Sequence, residues 1–181
     1  MKLKYLLAKI RYILRGRNNS VMVEYFRSCG ISIDDTARVY SDITTSECYL
    51  ITIGGGTTIS FDVTFITHDN SVEKLRIGFS DLFGRINIGK NCFIGARSII
   101  MPGVTIGDNS IVGAGSVVTK SVAPNTVVAG NPATTITDID TYKKKVKELG
   151  FSIEGLNEKE KKQLILRSNL IKKIKCLDFQ S

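Results

Sequence analysis

Residues 88–123 read, in sixes, IGKNCF, IGARSI, IMPGVT, IGDNSI, VGAGSV, VTKSVA. The first column is Ile88, Ile94, Ile100, Ile106, Val112 and Val118; the fifth is Cys92, Ser98, Val104, Ser110, Ser116 and Val122, every one small or β-branched. A period of six held in two columns through six copies marks a structural repeat. Short strands rich in β-branched residues, joined by turns that Gly and Asn favour, stack coil upon coil at the inter-strand distance of about 4.8 Å. The chain is therefore expected to be mainly β and to form a solenoid. First-column aliphatics fill its interior, and the small fifth-column residues sit where the wall bends. Gly89, Gly95, Gly107 and Gly113 follow the first column, where a tight backbone turn is expected.

Upstream, the repeat continues less regularly: IDDTAR from Ile33, VYSDIT from Val39, IGGGTT from Ile53, ISFDVT from Ile59 and FITHDN from Phe65. The phase slips between Thr44 and Ile53, and slips again between Phe65 and Ile88. The second slip is the longer. Residues 68–87 leave the coil, and long excursions from a regular scaffold usually carry function. The glycines at 54–56 belong to a coil turn, not to a nucleotide-binding loop. Three regions follow: an N-terminal helical segment over 1–30, the repeat domain over 31–136 and a C-terminal helical extension over 137–181.

Counts exclude several chemistries. One His in 181 residues cannot supply the ligand sets of a three-His zinc hydratase or a two-His metalloprotease. Cys29, Cys48, Cys92 and Cys176 lack the close pairs of zinc ribbons, so no metal is expected. The net charge of +8 is uneven: residues 1–40 carry eight basic and three acidic side chains, 41–136 six and seven, 137–181 eleven and seven. A near-neutral repeat region lacks the basic body of a nucleic-acid binder, so no nucleic-acid partner is expected.

The first segment, MKLKYLLAKIRYILRGR, has the spacing of a basic amphipathic helix. Its apolar stripe, Leu6, Leu7, Ile10, Ile13 and Leu14, is expected to pack on the domain or a neighbouring subunit. Weak contact with an anionic membrane surface is the alternative. Lys9 and Arg11 interrupt the stretch, no small-residue cleavage site follows, and no run of about 18 apolar residues occurs. With its Cys scattered over a chain too long to need staples, a cytoplasmic protein is expected, with peripheral contact at the inner face of the membrane as the alternative. Residues 141–149 read as a Lys-rich helix stopped by Gly150. Asn157 with Glu160 forms a capping-box-like start for another, running through Leu164, Ile165 and Leu166.

The repeats, together with TFITHD before the excursion and VTK and AGNPA late in the repeat region, resemble the hexapeptide-repeat acyltransferases. The nearer likeness is to the branch with maltose, galactoside and xenobiotic acetyltransferases and capsule or lipopolysaccharide O-acetyltransferases. The resemblance covers residues 31–136. It implies a left-handed parallel β-helix, an exception to the usual right-handed crossover. It also implies a homotrimer with active sites between subunits, and acetyl-CoA as donor.

Acyl transfer from a thioester to a hydroxyl needs a base for the hydroxyl proton, and imidazole, which ordinarily titrates near pH 6.5, suits that task. His68 is the one candidate. A lone His is more often structural, but this one stands where the coil gives way to the excursion and matches the family's catalytic histidine. An acceptor on its other ring nitrogen would orient it. Asp69 and Asp62 are the sequence candidates, with a backbone carbonyl as the alternative and, for Asp69, a plain turn role beside Asn70. By resemblance, the oxyanion donor falls at the backbone N–H of Ala96, where other members carry Ser. Ala96 and Ala114 match positions along which the pantetheine arm of CoA lies, and Thr119 and Lys120 match the VTK motif, which places an ammonium near the nucleotide phosphates. Two departures stand out: Thr134 replaces the Lys of the commoner GNPAKVI, and Phe93 replaces a Trp. The expected activity is acetyl-CoA-dependent O-acetylation of a sugar or glycan precursor of capsule or lipopolysaccharide type. The alternatives are another small acceptor (an amino sugar, serine or an antibiotic) and a non-catalytic hexapeptide scaffold.

Overall fold

A computed structural model of the chain describes residues 2–147, 150 and 152–167. Helices α1 (Lys2–Leu14) and α2 (Ser20–Ser28) come first. Short strands follow in rounds. The first holds β1 (Ser32–Ile33) and β2 (Arg38–Val39), the second β3 (Ile51–Ile53), β4 (Thr58–Ile59) and β5 (Thr64–Phe65). A hairpin of β6 (His68–Asp69) and β7 (Leu82–Phe83) intervenes. Then come β8 (Ile86–Ile88), β9 (Phe93–Ile94) and β10 (Ile99–Ile100), and after them β11 (Thr105–Ile106), β12 (Ile111–Val112) and β13 (Val117–Val118). An antiparallel pair, β14 (Thr126–Gly130) and β15 (Ala133–Asp138), ends the series.

Apart from the two-stranded β6-β7 hairpin, these strands form three small sheets that the chain visits in turn: β1-β3-β8-β11, then β2-β4-β9-β12-β14-β15, then β5-β10-β13. Apart from β14 with β15, the pairing within them is parallel. Ile88 lies opposite Ile106, Ile94 opposite Val112 and Ile100 opposite Val118, so partners are 18 residues apart. One hexad is a strand with its corner, and three hexads make a round.

The two columns behave as their chemistry requires. Ile94, Ile100, Ile106 and Val112 are 0% exposed, Val118 1% and Ile88 2%. Burial of such aliphatic side chains is the main favourable term for a domain this size. The fifth column is buried as well, and its hydroxyls are satisfied. Ser98 Oγ donates to the Gly95 carbonyl at 2.8 Å and the Gly113 carbonyl at 3.0 Å, and Ser110 Oγ to the Ala123 carbonyl at 2.9 Å. A hydroxyl can stay in the wall because it ties one round to the next.

The second-column glycines do not make the tight turns expected of them. Left-handed backbone falls instead at the fourth column: Asn91, Arg97, Gly103, Asn109 and Gly115, with φ between 53° and 81°. A Cβ on Gly95 or Gly107 would run into the backbone of Ala114 or Pro124 in the following round. Close stacking, and not chain reversal, demands glycine there.

Both phase slips lie on the path back to the first sheet, at residues 40–50 in one round and 66–85 in the next. The longer excursion ends earlier than expected, because Ile86 already pairs with Ile51 and is fully buried.

Helix α2 covers the edge strands β1 and β2. Met22, Val23 and Phe26 share the core with Ile31, Ile33 and Ala37, the Arg27 guanidinium donates to the Ile33 carbonyl at 2.7 Å, and Asn19 Nδ2 donates to the Ala37 carbonyl. Unpaired strand edges are thereby hidden. Helix α1 leans on α2 through Tyr5, Ala8 and Tyr12, with the Tyr5 ring 5.6 Å from that of Tyr25. The stripe expected to pack is the one left out: Leu6 is 54% exposed, Leu7 53%, Ile10 45%, Ile13 62% and Leu14 79%. The Tyr–Ala–Tyr face at i, i+3 and i+7 is a second stripe, and small Ala8 lets the two helices approach.

The chain divides into two compact units, one through Ile139 and one from Asp140. Helix α3 (Ile139–Lys147) starts at that boundary. Within the second unit, α4 (Glu158–Arg167) opens on the capping box foreseen from its sequence. The N–H groups of Lys159 and Glu160 donate to Asn157 Oδ1 at 3.0 Å, and the Asn157 N–H donates to Glu160 Oε2 at 2.8 Å. Residues 148 and 149, the expected end of the preceding helix, and Cys176 lie outside the described residues.

Candidate functional site

His68 is carried by β6, which leaves the third sheet just after β5 and pairs antiparallel with β7, His68 opposite Phe83. Its ring lies 5.8 Å from the Phe83 ring, and its side chain is 40% exposed. Beside it runs an open cleft of about 330 Å³ between residues 44–46 and 65–68. The imidazole is thus reachable from solvent but held on one side.

What holds it is Glu47, whose Oε2 lies 2.8 Å from His68 Nδ1. The same oxygen accepts from Thr67 Oγ1 at 2.9 Å and lies 3.2 Å from Thr45 Oγ1, whose single O–H is shared between that carboxylate and the neighbouring Thr67 oxygen. Glu47 precedes a 3₁₀ turn (Cys48–Leu50) pinned by buried Cys48, and the Leu50 N–H closes it on the Glu47 carbonyl. The Thr67 hydroxyl holds the Glu47 carboxyl below its ordinary value; burial opposes this, and the His68 imidazole and Thr45 hydroxyl add to the lowering. An ionised carboxylate only accepts, so Nδ1 carries the proton of this bond, and in the uncharged tautomer the free lone pair lies on Nε2.

The aspartates singled out from the sequence do other work. Asp69 Oδ1 accepts from the Ser71 N–H at 2.8 Å, the turn role held open for it. Asp62, in left-handed backbone, faces Arg97 at 3.7 Å. Neither holds the imidazole; Glu47 does, from 21 residues upstream. Sequence reading missed it by giving weight to the second slip alone. The usable signal was that both slips occur on the same stretch of successive rounds, which stacks their residues together.

Ala96 and Ala114 stack one round apart at the corner between the second and third sheets; Ala96 is half-buried and Ala114 exposed. Thr119 and Lys120 are exposed at the next corner, after β13, on the side where β5 leads to His68. Within this chain His68 and these four positions divide between two corners. Phe93 is 45% exposed on the second sheet. Among the described residues no group of three or more His, Cys, Asp or Glu is gathered.

Residues 85–120 match the hexapeptide repeat of succinyl-transferase. Protein CapG of Staphylococcus aureus is 44% identical over 161 residues, spanning 86% of this chain and 94% of its own length. The chain belongs to the hexapeptide-repeat acetyltransferase family. The galactoside O-acetyltransferase of Escherichia coli (strain K12) is 35% identical over 152 residues, 82% of this chain and 75% of that one. A galactoside acetyltransferase solved in complex with coenzyme A superposes with a TM-score of 0.50 at 27% identity, covering 79% of this chain and 84% of the other. This family member is accordingly an acyltransferase. None of its described helices is long and apolar enough to cross a membrane.

Proposed function

We propose that this chain transfers the acetyl group of acetyl-CoA to a hydroxyl of a sugar or glycan precursor of capsule or lipopolysaccharide type, with His68 as general base. The observation that carries the reading is the Glu47–His68 pair at 2.8 Å, set at the mouth of a cleft where the repeat is interrupted. Nε2 takes the acceptor's hydroxyl proton as the oxygen attacks the thioester carbonyl carbon. The negative charge that develops on the carbonyl oxygen is met by the Ala96 N–H. Collapse breaks the C–S bond, and the imidazolium returns its proton to the departing thiolate, giving an acetyl ester and free CoA. The charge on Glu47 stabilises the imidazolium between the two transfers.

The rounds of three parallel sheets support a left-handed parallel β-helix, and the split of the site over two corners supports a homotrimer. The His68 corner of one protomer would then face the Ala96–Ala114 corner of another. Ala114, Thr119 and Lys120 would line the donor's path, Lys120 pairing with its phosphates. Acetyl-CoA is an intracellular metabolite, which supports a cytoplasmic reaction. The relative named as a galactoside O-acetyltransferase favours a sugar hydroxyl.

The test is transfer of labelled acetyl from acetyl-CoA to a panel of sugars and nucleotide sugars, with amino sugars, serine and chloramphenicol as comparison acceptors. An acetyl ester on a sugar is expected, and its formation should fall about 10² to 10⁴-fold in His68→Ala. Undiminished turnover in that variant would dismiss the base. Failure to bind CoA at all would favour a scaffold.

A further inference from the structure

The exposed face of α1 has a defined composition. Placing its residues at about 100° intervals puts Ile13, Leu6, Ile10, Leu3, Leu14 and Leu7 on one sector about 120° wide, opposite the Tyr5–Ala8–Tyr12 face seated on α2. All six are between 45% and 79% exposed. Lys4, Arg11 and Arg15 border the sector on one side; on the other stands Lys9, whose ammonium lies 5.0 Å from the centre of the Tyr5 ring. No acidic residue occurs before Glu24. A soluble helix has its apolar stripe inward and its charges outward; this one has a second stripe outward, flanked by cations.

We propose that α1 is a docking surface for an anionic lipid bilayer, lying parallel to it with the Leu/Ile sector in the acyl–headgroup boundary. Charge complementarity selects this occupant. The long side chains of Lys4, Arg11 and Arg15 can reach headgroup phosphates while the stripe beside them leaves water. A second copy of α1 would instead bring like charges together, with no carboxylate in the first 23 residues to neutralise them. The Tyr–Ala–Tyr face fixes the orientation, because it is already occupied by α2. The helix is one element of the unit that carries His68, so docking would hold the acetyltransferase at a membrane surface, independently of its acceptor.

The chain contains no Trp, so Leu6→Trp places a lone reporter on the stripe. With vesicles containing phosphatidylglycerol its emission should shift to shorter wavelength, and with pure phosphatidylcholine vesicles it should not. In co-sedimentation of the full chain, Leu6→Ser with Ile10→Ser should weaken binding to the anionic vesicles on the order of 100-fold. Lys4→Gln, Arg11→Gln and Arg15→Gln together should have an effect of similar order, at about fivefold per charge, and 0.5 M salt should reproduce it. Circular dichroism and CoA binding should not change, since these side chains are exposed and lie outside the proposed site. Equal binding to neutral and anionic vesicles, or none to either, would overturn the proposal. So would a Ser pair that changes the sedimentation coefficient of the free protein, since a second copy would then be covering the stripe.

Discussion

Replacing Glu47 with Gln isolates the contribution of one charge, because the side chain keeps its length and one acceptor oxygen. Three polar groups converge on Oε2, at 2.8 Å from His68, 2.9 Å from Thr67 and 3.2 Å from Thr45. An amide oxygen can still accept from them, but it cannot oppose the charge of an imidazolium, and a flipped amide would present NH₂ to Nδ1 and favour the wrong tautomer. A hydrogen bond to a charged group is typically a factor of about 10 to 100, so kcat should fall by about that much. A positioned general base contributes about 10² to 10⁴-fold in all, which sets the ceiling. KM for acetyl-CoA should not move, because Glu47 acts through His68. Turnover can be followed by release of the CoA thiol. Since the chain has a single His, its imidazole ¹⁵N resonances need no assignment: the wild type should show protonated Nδ1 and bare Nε2, and Glu47→Gln a mixture. The carboxyl is also held below its usual range by Thr67 and His68. Its stabilising effect should therefore be complete above the ordinary Glu value of about 4.3 and be lost as pH falls through the lower folded value. The difference in Tm between wild type and Glu47→Gln should accordingly shrink as pH falls below about 4.3 and vanish in stronger acid. A variant with unchanged kcat and an unchanged tautomer would refute the positioning role.

Lys120→Ala should raise KM for acetyl-CoA and leave acceptor KM nearly unchanged, with a smaller effect on a truncated donor that lacks the nucleotide; equal losses with both donors would make Lys120 structural. Ile106→Asp should prevent folding, since an unpaired carboxylate at a 0% exposed position costs an amount comparable to the whole net stability of a domain. A soluble variant with an unaltered circular dichroism spectrum would contradict that. Gly95→Ala should destabilise the protein through a clash with Ala114 in the next round, read as a lower Tm, whereas Gly115→Asn, in left-handed backbone that Asn tolerates, should cost much less. Sedimentation equilibrium should give a trimer at micromolar concentration, and a stable monomer would separate His68 from the Ala96–Ala114 corner.

The hexad carries its own structural information. Each round stacks on a near copy of itself, so the residue types needed at Ile94 recur at Val112, and the inward column, its neighbouring buried hydroxyls and the interruption at His68 are all legible along the chain. The capping box of α4 is legible for the same reason, since its partners, Asn157 and Glu160, are three residues apart. Tertiary structure decided the remainder. Glu47 reaches His68 only because successive rounds bring their irregular returns together, and irregularity is what a periodic reading passes over. Asp62 and Asp69 were nearer in sequence, but backbone geometry turned one toward Arg97 and the other toward Ser71. The second-column glycines were read as turns, when spacing between rounds, a property of the stack, required them. Helix α1 has two apolar faces, and local sequence has no means of ranking them. The fit of Tyr5, Ala8 and Tyr12 against α2 chose between them, and so determined which face meets the surroundings.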